Sequence, residues 1–204
     1  RQTERRKMED EKRRTARKEV FSWVRMFAIV IIVVFVLTQF IIINAKVPSG
    51  SMENTIMTHD RLIGFRFAYW FDEPQRGDII LFEYPVDEKQ IYIKRVIGLP
   101  GETVEIRDGH VYIDGSDEPL QEDYLKEEWT WENDGYTFVV PEGCYFVMGD
   151  NRNDSLDGRL WAGEALKSGV ASTPEEAEQY SYVRKDKIKG KAIFKYFSKF
   201  AILK

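Results

Sequence analysis

The sequence predicts a mainly β protein: a coiled antiparallel β-sheet domain behind a single N-terminal transmembrane helix. Three observations carry this. One 18-residue run near the N-terminus holds no charge. Eight short segments rich in Val, Ile, Phe and Tyr follow it, and tight-turn residues separate them. With 204 residues, 43% hydrophobic and 31% charged, the chain fits one sizeable domain plus an appendage and excludes whole-chain disorder.

The elements follow in chain order. The chain opens on Arg1 rather than Met, so a preceding piece is expected to be missing. Residues 1–25 carry ten Lys/Arg against five acids. The run 26–43, MFAIVIIVVFVLTQFIII, has only Thr38 and Gln39 as polar residues. With its flank 21–24 it reaches the roughly 20 residues a transmembrane helix needs. It is longer than the apolar stretch of a cleaved signal peptide, and no face is polar as in a buried soluble helix. The boundaries expected are a cytoplasmic basic tail over 1–19, a transmembrane helix over 20–44 and an extracytoplasmic domain over 45–204. Basic residues before the span place the N-terminus in the cytoplasm. Anionic lipid accounts for the basic tail, so the lipid bilayer is the expected partner and nucleic acid is not. Residues 47–204 carry a net charge of -10.

In that domain, 62–67, 78–82, 91–97, 103–106, 110–113, 136–140, 145–148 and 192–196 read as strands. Arg76-Gly77-Asp78, Pro100-Gly101, Asp108-Gly109, Asp114-Gly115 and Pro141-Glu142-Gly143 supply the turns. Many short strands with tight turns suggest an antiparallel sheet that hides its edges by coiling or partial closure. A helix is expected over 173–180, with Thr173 as N-cap, Pro174 first in the helix and Glu176 completing a capping box. It belongs to a partly helical insertion over 162–182. The acidic stretch 116–134, with Trp129 and Trp131, reads as an excursion from the strand pattern.

Chemistry is constrained by what is scarce. Cys144 is the sole cysteine, so an intramolecular disulfide or a cysteine-rich zinc site is excluded, and it reads as a small packing residue. Two histidines, His59 and His110, make a multi-histidine metal site improbable, and both read as loop or turn residues. Ser51 lies in Pro48-Ser49-Gly50-Ser51-Met52, within about 28 Å of the end of the span even if the chain between is fully extended. Its chemistry is therefore expected near the membrane surface, on a substrate that emerges from the bilayer. A serine hydroxyl needs a base. Histidines and lysines are the candidates, and Lys94 is distinctive. In Ile91-Tyr92-Ile93-Lys94-Arg95-Val96-Ile97, a period of two puts Tyr92, Lys94 and Val96 on one face. Spacing alone leaves two readings. Lys94 is either buried, with its pKa lowered until it serves as a base, or on an edge strand facing solvent with its stem over apolar surface. The segment Gly149-Asp150-Asn151-Arg152-Asn153-Asp154-Ser155-Leu156-Asp157-Gly158-Arg159 reads as a self-bonded loop held by Asp–Arg pairs. It lacks the register of a calcium loop.

Taken in order, Ser49-Gly50-Ser51-Met52, Arg76-Gly77-Asp78-Ile79-Ile80, Tyr92-Ile93-Lys94-Arg95-Val96-Ile97-Gly98-Leu99-Pro100-Gly101-Glu102, the loop from Gly149 to Arg159 and the closing Asp186-Lys187-Ile188-Lys189-Gly190-Lys191-Ala192 resemble the bacterial type I signal peptidases. The resemblance covers nearly the whole chain from the span onward. It implies a serine endopeptidase of the bacterial cell membrane that removes signal peptides from exported preproteins after a small-x-small (A-x-A) motif, without metal or cofactor. It implies Ser51 as nucleophile, Lys94 as general base, and the Ser51 N–H with the Ser49 hydroxyl as oxyanion donors. Ser155 orients the lysine, and Asp150, Arg152, Asp157, Arg159 and Arg95 shape the site. Two departures stand out. Asn54 replaces a usual proline, and Gly158 stands where serine is common.

Rival readings are a self-cleaving serine–lysine repressor, which the span and the missing DNA-binding domain oppose, and a non-catalytic, membrane-anchored relative acting as an assembly or binding factor. Both Ser51 and Lys94 are present, which opposes the latter. The aromatics Phe65, Phe67, Tyr69, Trp70 and Phe71, and near the C-terminus Phe197, Phe200 and Leu203, read either as strand core or as residues at a lipid interface.

Overall fold

The computed structural model describes residues 2–196 and 200–203, with residues 2–11 as backbone alone; Phe197 lies outside the described residues. The chain forms two compact units, Arg1–Ile41 and Ile42–Lys204.

The first unit is helical. Helix α1 (Gln2–Val36) continues into a π-helical turn, Leu37–Ile41. Lys12–Ile41 is long and apolar enough to cross a membrane. From Val20 to Ile41 such a helix spans about 33 Å, close to the hydrocarbon thickness of a bilayer. Thr38 donates its hydroxyl to the Val34 and Phe35 carbonyls at 2.9 and 3.1 Å, so this polar group within the apolar run is satisfied internally. The helix is shorter than the apolar run. Ile42 and Ile43 belong to a strand, so the expected helix boundary at 44 is overrun. Their β-branched side chains suit a ladder once one is offered.

The second unit is built on antiparallel strands. They are β1 (Ile42–Lys46), β2 (Arg61–Phe65), β3 (Ile79–Tyr84), β4 (Asp87–Gly98), β5 (Thr103–Arg107), β6 (His110–Ile113), β7 (Tyr136–Val139), β8 (Cys144–Met148), β9 (Val183–Arg184), β10 (Ile188–Tyr196) and β11 (Ala201–Ile202). The main sheet runs β1-β2-β10-β3-β4-β8-β9, with β11 on β10; β6-β5-β7 form a second sheet. All eight expected strands occur, within a few residues at their ends. Strands β1, β9 and β11 are additions. Register shifts in β10 against β2 and β3, and in β4 against β3 and β8, mark bulges that let the sheet coil.

Alternation fails in β4 for a physical reason. Its first half is a solvated ribbon, but Lys94–Gly98 is buried on both faces. Val96 packs with Ile80, Phe82 and Trp161, while Ile97 packs with Val104, Phe146 and Met148 in a separate cluster. Trp161 comes from helix α2 (Trp161–Lys167), which the sequence reading did not resolve. Helix α3 (Pro174–Glu178) starts as expected: Thr173 accepts from the Glu176 N–H at 3.2 Å. The reciprocal bond differs, because the Glu176 carboxylate accepts from the Ser172 N–H at 2.9 Å rather than from Thr173.

Candidate active site

Ser51 and Lys94 meet. Lys94 Nζ lies 2.7 Å from Ser51 Oγ, and the side chains are 4% and 7% exposed respectively. Ser51 sits in the turn that follows β1, and Lys94 on β4 opposite Ile80 of β3. The ammonium has little else to hold it, donating to the Ile93 carbonyl at 3.2 Å. Burial pushes its pKa down to about 8 from the ordinary 10.5. Asp157 and Asp150 oppose the fall, and Arg159 adds to it. The solvent-facing reading of Lys94 is therefore overturned: β4 is flanked by β3 and β8 and is not an edge.

The surroundings explain how these two groups are held. The Ser51 carbonyl accepts from the Asn151 N–H at 3.1 Å, and Asn151 Nδ2 donates to the Gly50 carbonyl at 3.0 Å. Asn151 therefore fastens the nucleophile's peptide to the Gly149–Arg159 loop. Gly149 makes the approach possible, since a Cβ there would stand 2.2 Å from Ser155 Oγ and 2.4 Å from the Ser51 carbonyl oxygen. Ser49 Oγ is 3.4 Å from Ser51 Oγ, at the edge of hydrogen-bonding reach, and exposed. The Ser51 N–H has no protein acceptor among the described residues. Ser155 is buried against this site. Its hydroxyl makes no hydrogen bond of acceptable geometry among the described residues, so the expected bond to Lys94 is not formed.

Each charged residue of the loop has a separate task. Asp157 takes Arg159 in a two-pronged pair at 2.8 and 3.0 Å and accepts the Gly149 N–H at 3.0 Å. Burial alone would raise the Asp157 pKa, but Arg159 and the Gly149 N–H together hold it below the usual range. Asp150 does not pair within the loop. It takes Arg95, next to Lys94 on the strand, at 2.8 and 2.7 Å. Arg152 pairs with Glu122, and its Nε reaches the Gly149 carbonyl at 3.1 Å. The guanidinium groups of Arg152 and Arg159 each lie 5.0 Å from the Trp129 ring.

Glu122 and Tyr124, from the 116–134 excursion, escaped the sequence reading, which named Trp129 there without a role at the site. Charge balance gave no signal, because the loop's three acids, Asp150, Asp154 and Asp157, match Arg95, Arg152 and Arg159 in number; only the fold shows that Arg152, 2% exposed, takes Glu122 instead of Asp154. Asn54 extends this contact, donating to the Tyr124 and Leu125 carbonyls at 3.0 and 3.2 Å. Its φ of +87° is closed to proline, so here the departure from the family pattern is conformational. Gly158 is explained by space, since a Cβ would stand 2.7 Å from the Phe146 ring and 2.8 Å from the Ser181 carbonyl oxygen.

His59 and His110 are exposed and away from this pair: His59 is in a turn with φ of +74°, and His110 Nδ1 contacts the Asp108 carbonyl at 2.8 Å. Cys144 is half-buried, free, and packed against the β5–β8 cluster. A cavity of 480 Å³ opens over Ser51 and Lys94. Its walls include Ala45–Pro48, Met52, Leu81, residues 90–93, Asp154 and Leu156. A lysine amine beside a serine hydroxyl in such a cleft can take the hydroxyl proton and release an alkoxide-like nucleophile.

Comparison with known proteins gives the family. A family model described as "Signal peptidase, peptidase S26" matches residues 20–197. A probable signal peptidase I-1 of Synechocystis is 43% identical over 140 residues, covering 65% of this chain and 69% of that protein. A signal peptidase I of Bacillus licheniformis is 35% identical over 177 residues, 82% of this chain and 93% of that protein. The crystal structure of a signal peptidase I from Enterococcus faecalis shares 36% identity, covers 59% of this chain and 97% of its own, and gives a TM-score of 0.43. The chain thus belongs to the signal peptidase family of S26 peptidases, and is a serine endopeptidase.

Proposed function

We propose that the protein removes signal peptides from exported preproteins, with Ser51 as nucleophile and Lys94 as general base. The observation that carries this is the 2.7 Å contact between Lys94 Nζ and Ser51 Oγ inside a buried, apolar-walled cleft. Neutral Lys94 takes the Ser51 proton as Oγ bonds to the scissile carbonyl carbon. The oxyanion is held by the Ser51 N–H and the Ser49 hydroxyl, donors that typically contribute about 3–4 kcal/mol each. The lysine ammonium returns its proton to the leaving amine as the C–N bond breaks, leaving an ester on Ser51. Lys94 then deprotonates a water that attacks this ester, and Oγ leaves with a proton. Asp150, Arg95, Asp157, Arg159 and Arg152 keep the loop against the strand, and the buried Ser155 packs against Gly149 beside the nucleophile's peptide.

Small side chains are expected at -1 and -3, as the family resemblance implies. The apolar helix anchors the protein in the bacterial cell membrane by a single pass, with 1–19 as a cytoplasmic tail and 45–204 outside. This arrangement delivers Ser51 to substrates as they emerge from the bilayer.

Cleavage of a fluorogenic peptide ending in A-x-A, by the detergent-solubilised chain, tests this reading. Wild-type kcat/KM rises about tenfold per pH unit below 8 and levels above it, following the neutral fraction of Lys94. Ser51→Ala and Lys94→Ala are inactive. Activity surviving Lys94→Ala, or equal cleavage after Leu and Ala at -1, would refute the assignment.

A further inference from the structure

A second cavity adjoins the first. It measures 390 Å³ and is lined by Trp131, Asn153, Asp154, Ser155, Leu156 and Leu160. Asp154 and Leu156 are also walls of the cavity that holds Ser51 and Lys94. The two hollows therefore share Asp154 and Leu156 as a dividing wall. A polypeptide cut at Ser51 has chain on both sides of the broken bond, and two hollows either side of a wall offer two separate places for it.

The second hollow is furnished differently from the first. Trp131 and Leu156 expose 48% and 36% of their surface, on a domain with a net charge of -10. Solvent-facing apolar groups beside a reactive serine form a contact platform. Trp131 is presented rather than merely left over. Its N–H donates to Asn153 Oδ1 at 3.2 Å and its carbonyl accepts from Trp129 Nε1 at 2.6 Å, so its backbone is fixed while its ring stays exposed. Asp154 differs from its neighbours too. Asp150 and Asp157 are consumed by arginines, whereas the exposed Asp154 carboxylate takes part in no hydrogen bond or ion pair among the described residues and feels the Lys126 ammonium only at longer range. Cleavage creates a new α-amino group at the broken bond. With a pKa near 8 it is largely cationic at neutral pH. A free carboxylate on the divide suits that cation.

We propose that the second cavity is the subsite for the first residues of the mature chain, with an apolar side chain against Trp131 and Leu156 and the freed α-ammonium against Asp154. The proposal rests on the reading of Ser51 and Lys94 given above. The probes are the tripeptide amide Ala-Leu-Ser with a free N-terminus, its N-acetyl form, and Ala-Gly-Ser with a free N-terminus. Each is measured as an inhibitor of A-x-A peptide cleavage by the full chain. The free-amine Leu peptide is expected to inhibit at a concentration at least fivefold lower than either of the others. Asp154→Asn erases the difference between free and acetylated forms. Trp131→Ala erases the difference between Leu and Gly, and Trp131→Phe restores it, which a general structural defect would not allow. Equal inhibition by the free and acetylated forms in the wild type, or unchanged differences in both variants, would overturn the subsite. Cleavage persisting in Ser51→Ala would instead overturn the nucleophile assignment, leaving the inhibitor differences to judge the subsite alone.

Discussion

At Lys94 two demands conflict. The amine must be neutral to act as a base, and the means of neutralising it is burial, which costs stability. The pKa near 8 in the fold against 10.5 in the unfolded chain means that the unfolded chain binds more protons between those values. Stability therefore rises with pH from about 8 to 10.5, and below 8 the full cost remains, on the order of 3 kcal/mol. Lys94→Met is accordingly expected to melt at a higher temperature than wild type at pH 7, with the gap shrinking toward pH 10.5; calorimetry at several pH values measures it. Asn54 is a second residue whose meaning comes from conformation. Asn54→Pro cannot hold φ at +87° and also loses the bonds to Tyr124 and Leu125. It is expected to destabilise by more than about 1 kcal/mol in urea titration, and by more than Asn54→Gly, which keeps the backbone angle and loses only the bonds. Of these residues, Ser51 and Lys94 were legible through the ordered motifs. Spacing alone left Lys94 undecided, because a period of two names a face without saying whether another layer covers it.

Between elements, the unexpected work falls to the 116–134 excursion. By composition it is an acidic surface loop; in the fold it supplies Glu122 to Arg152, the Trp129 ring to two guanidinium groups, and carbonyls to Asn54. Glu122→Ala leaves Arg152 buried with no carboxylate against it, which typically costs about 3–5 kcal/mol. The expected result is a lower urea midpoint together with faster proteolysis within 116–134, and a variant as protected as wild type would refute it. Eight strands were readable because each is a β-branched or aromatic run between turn residues. The others were hidden for separate reasons. The residues of β1 end the long apolar run and read as helix. The strands β9 and β11 have two residues each, too few to show a period. Helix α2 has seven, and its one large buried side chain, Trp161, gives no repeating stripe.

On the scale of the whole chain, the exposed aromatics divide. Tyr69 turns inward to donate to Asp78 at 2.9 Å, and Leu203 packs in the core, whereas Trp70, Phe71 and Phe200 are 62%, 92% and 75% exposed. The full chain without its apolar helix is expected to bind zwitterionic vesicles, which do not repel its negative charge, with Trp70→Ala combined with Phe71→Ser weakening that binding severalfold in a sedimentation assay; equal binding would assign these rings no lipid role. The order of the sheet has a consequence of its own. Strand β10, near the end of the chain, lies between β2 and β3, bonding Phe65 on one side and Ile80 on the other through Lys191. The turn bearing Ser51 adjoins β2, and the strand bearing Lys94 pairs with β3. A nascent chain still lacking residues 188–196 therefore has no ladder joining its serine half to its lysine half. A chain cut before residue 188 is then expected to show no protease activity on the A-x-A peptide even though it retains both Ser51 and Lys94.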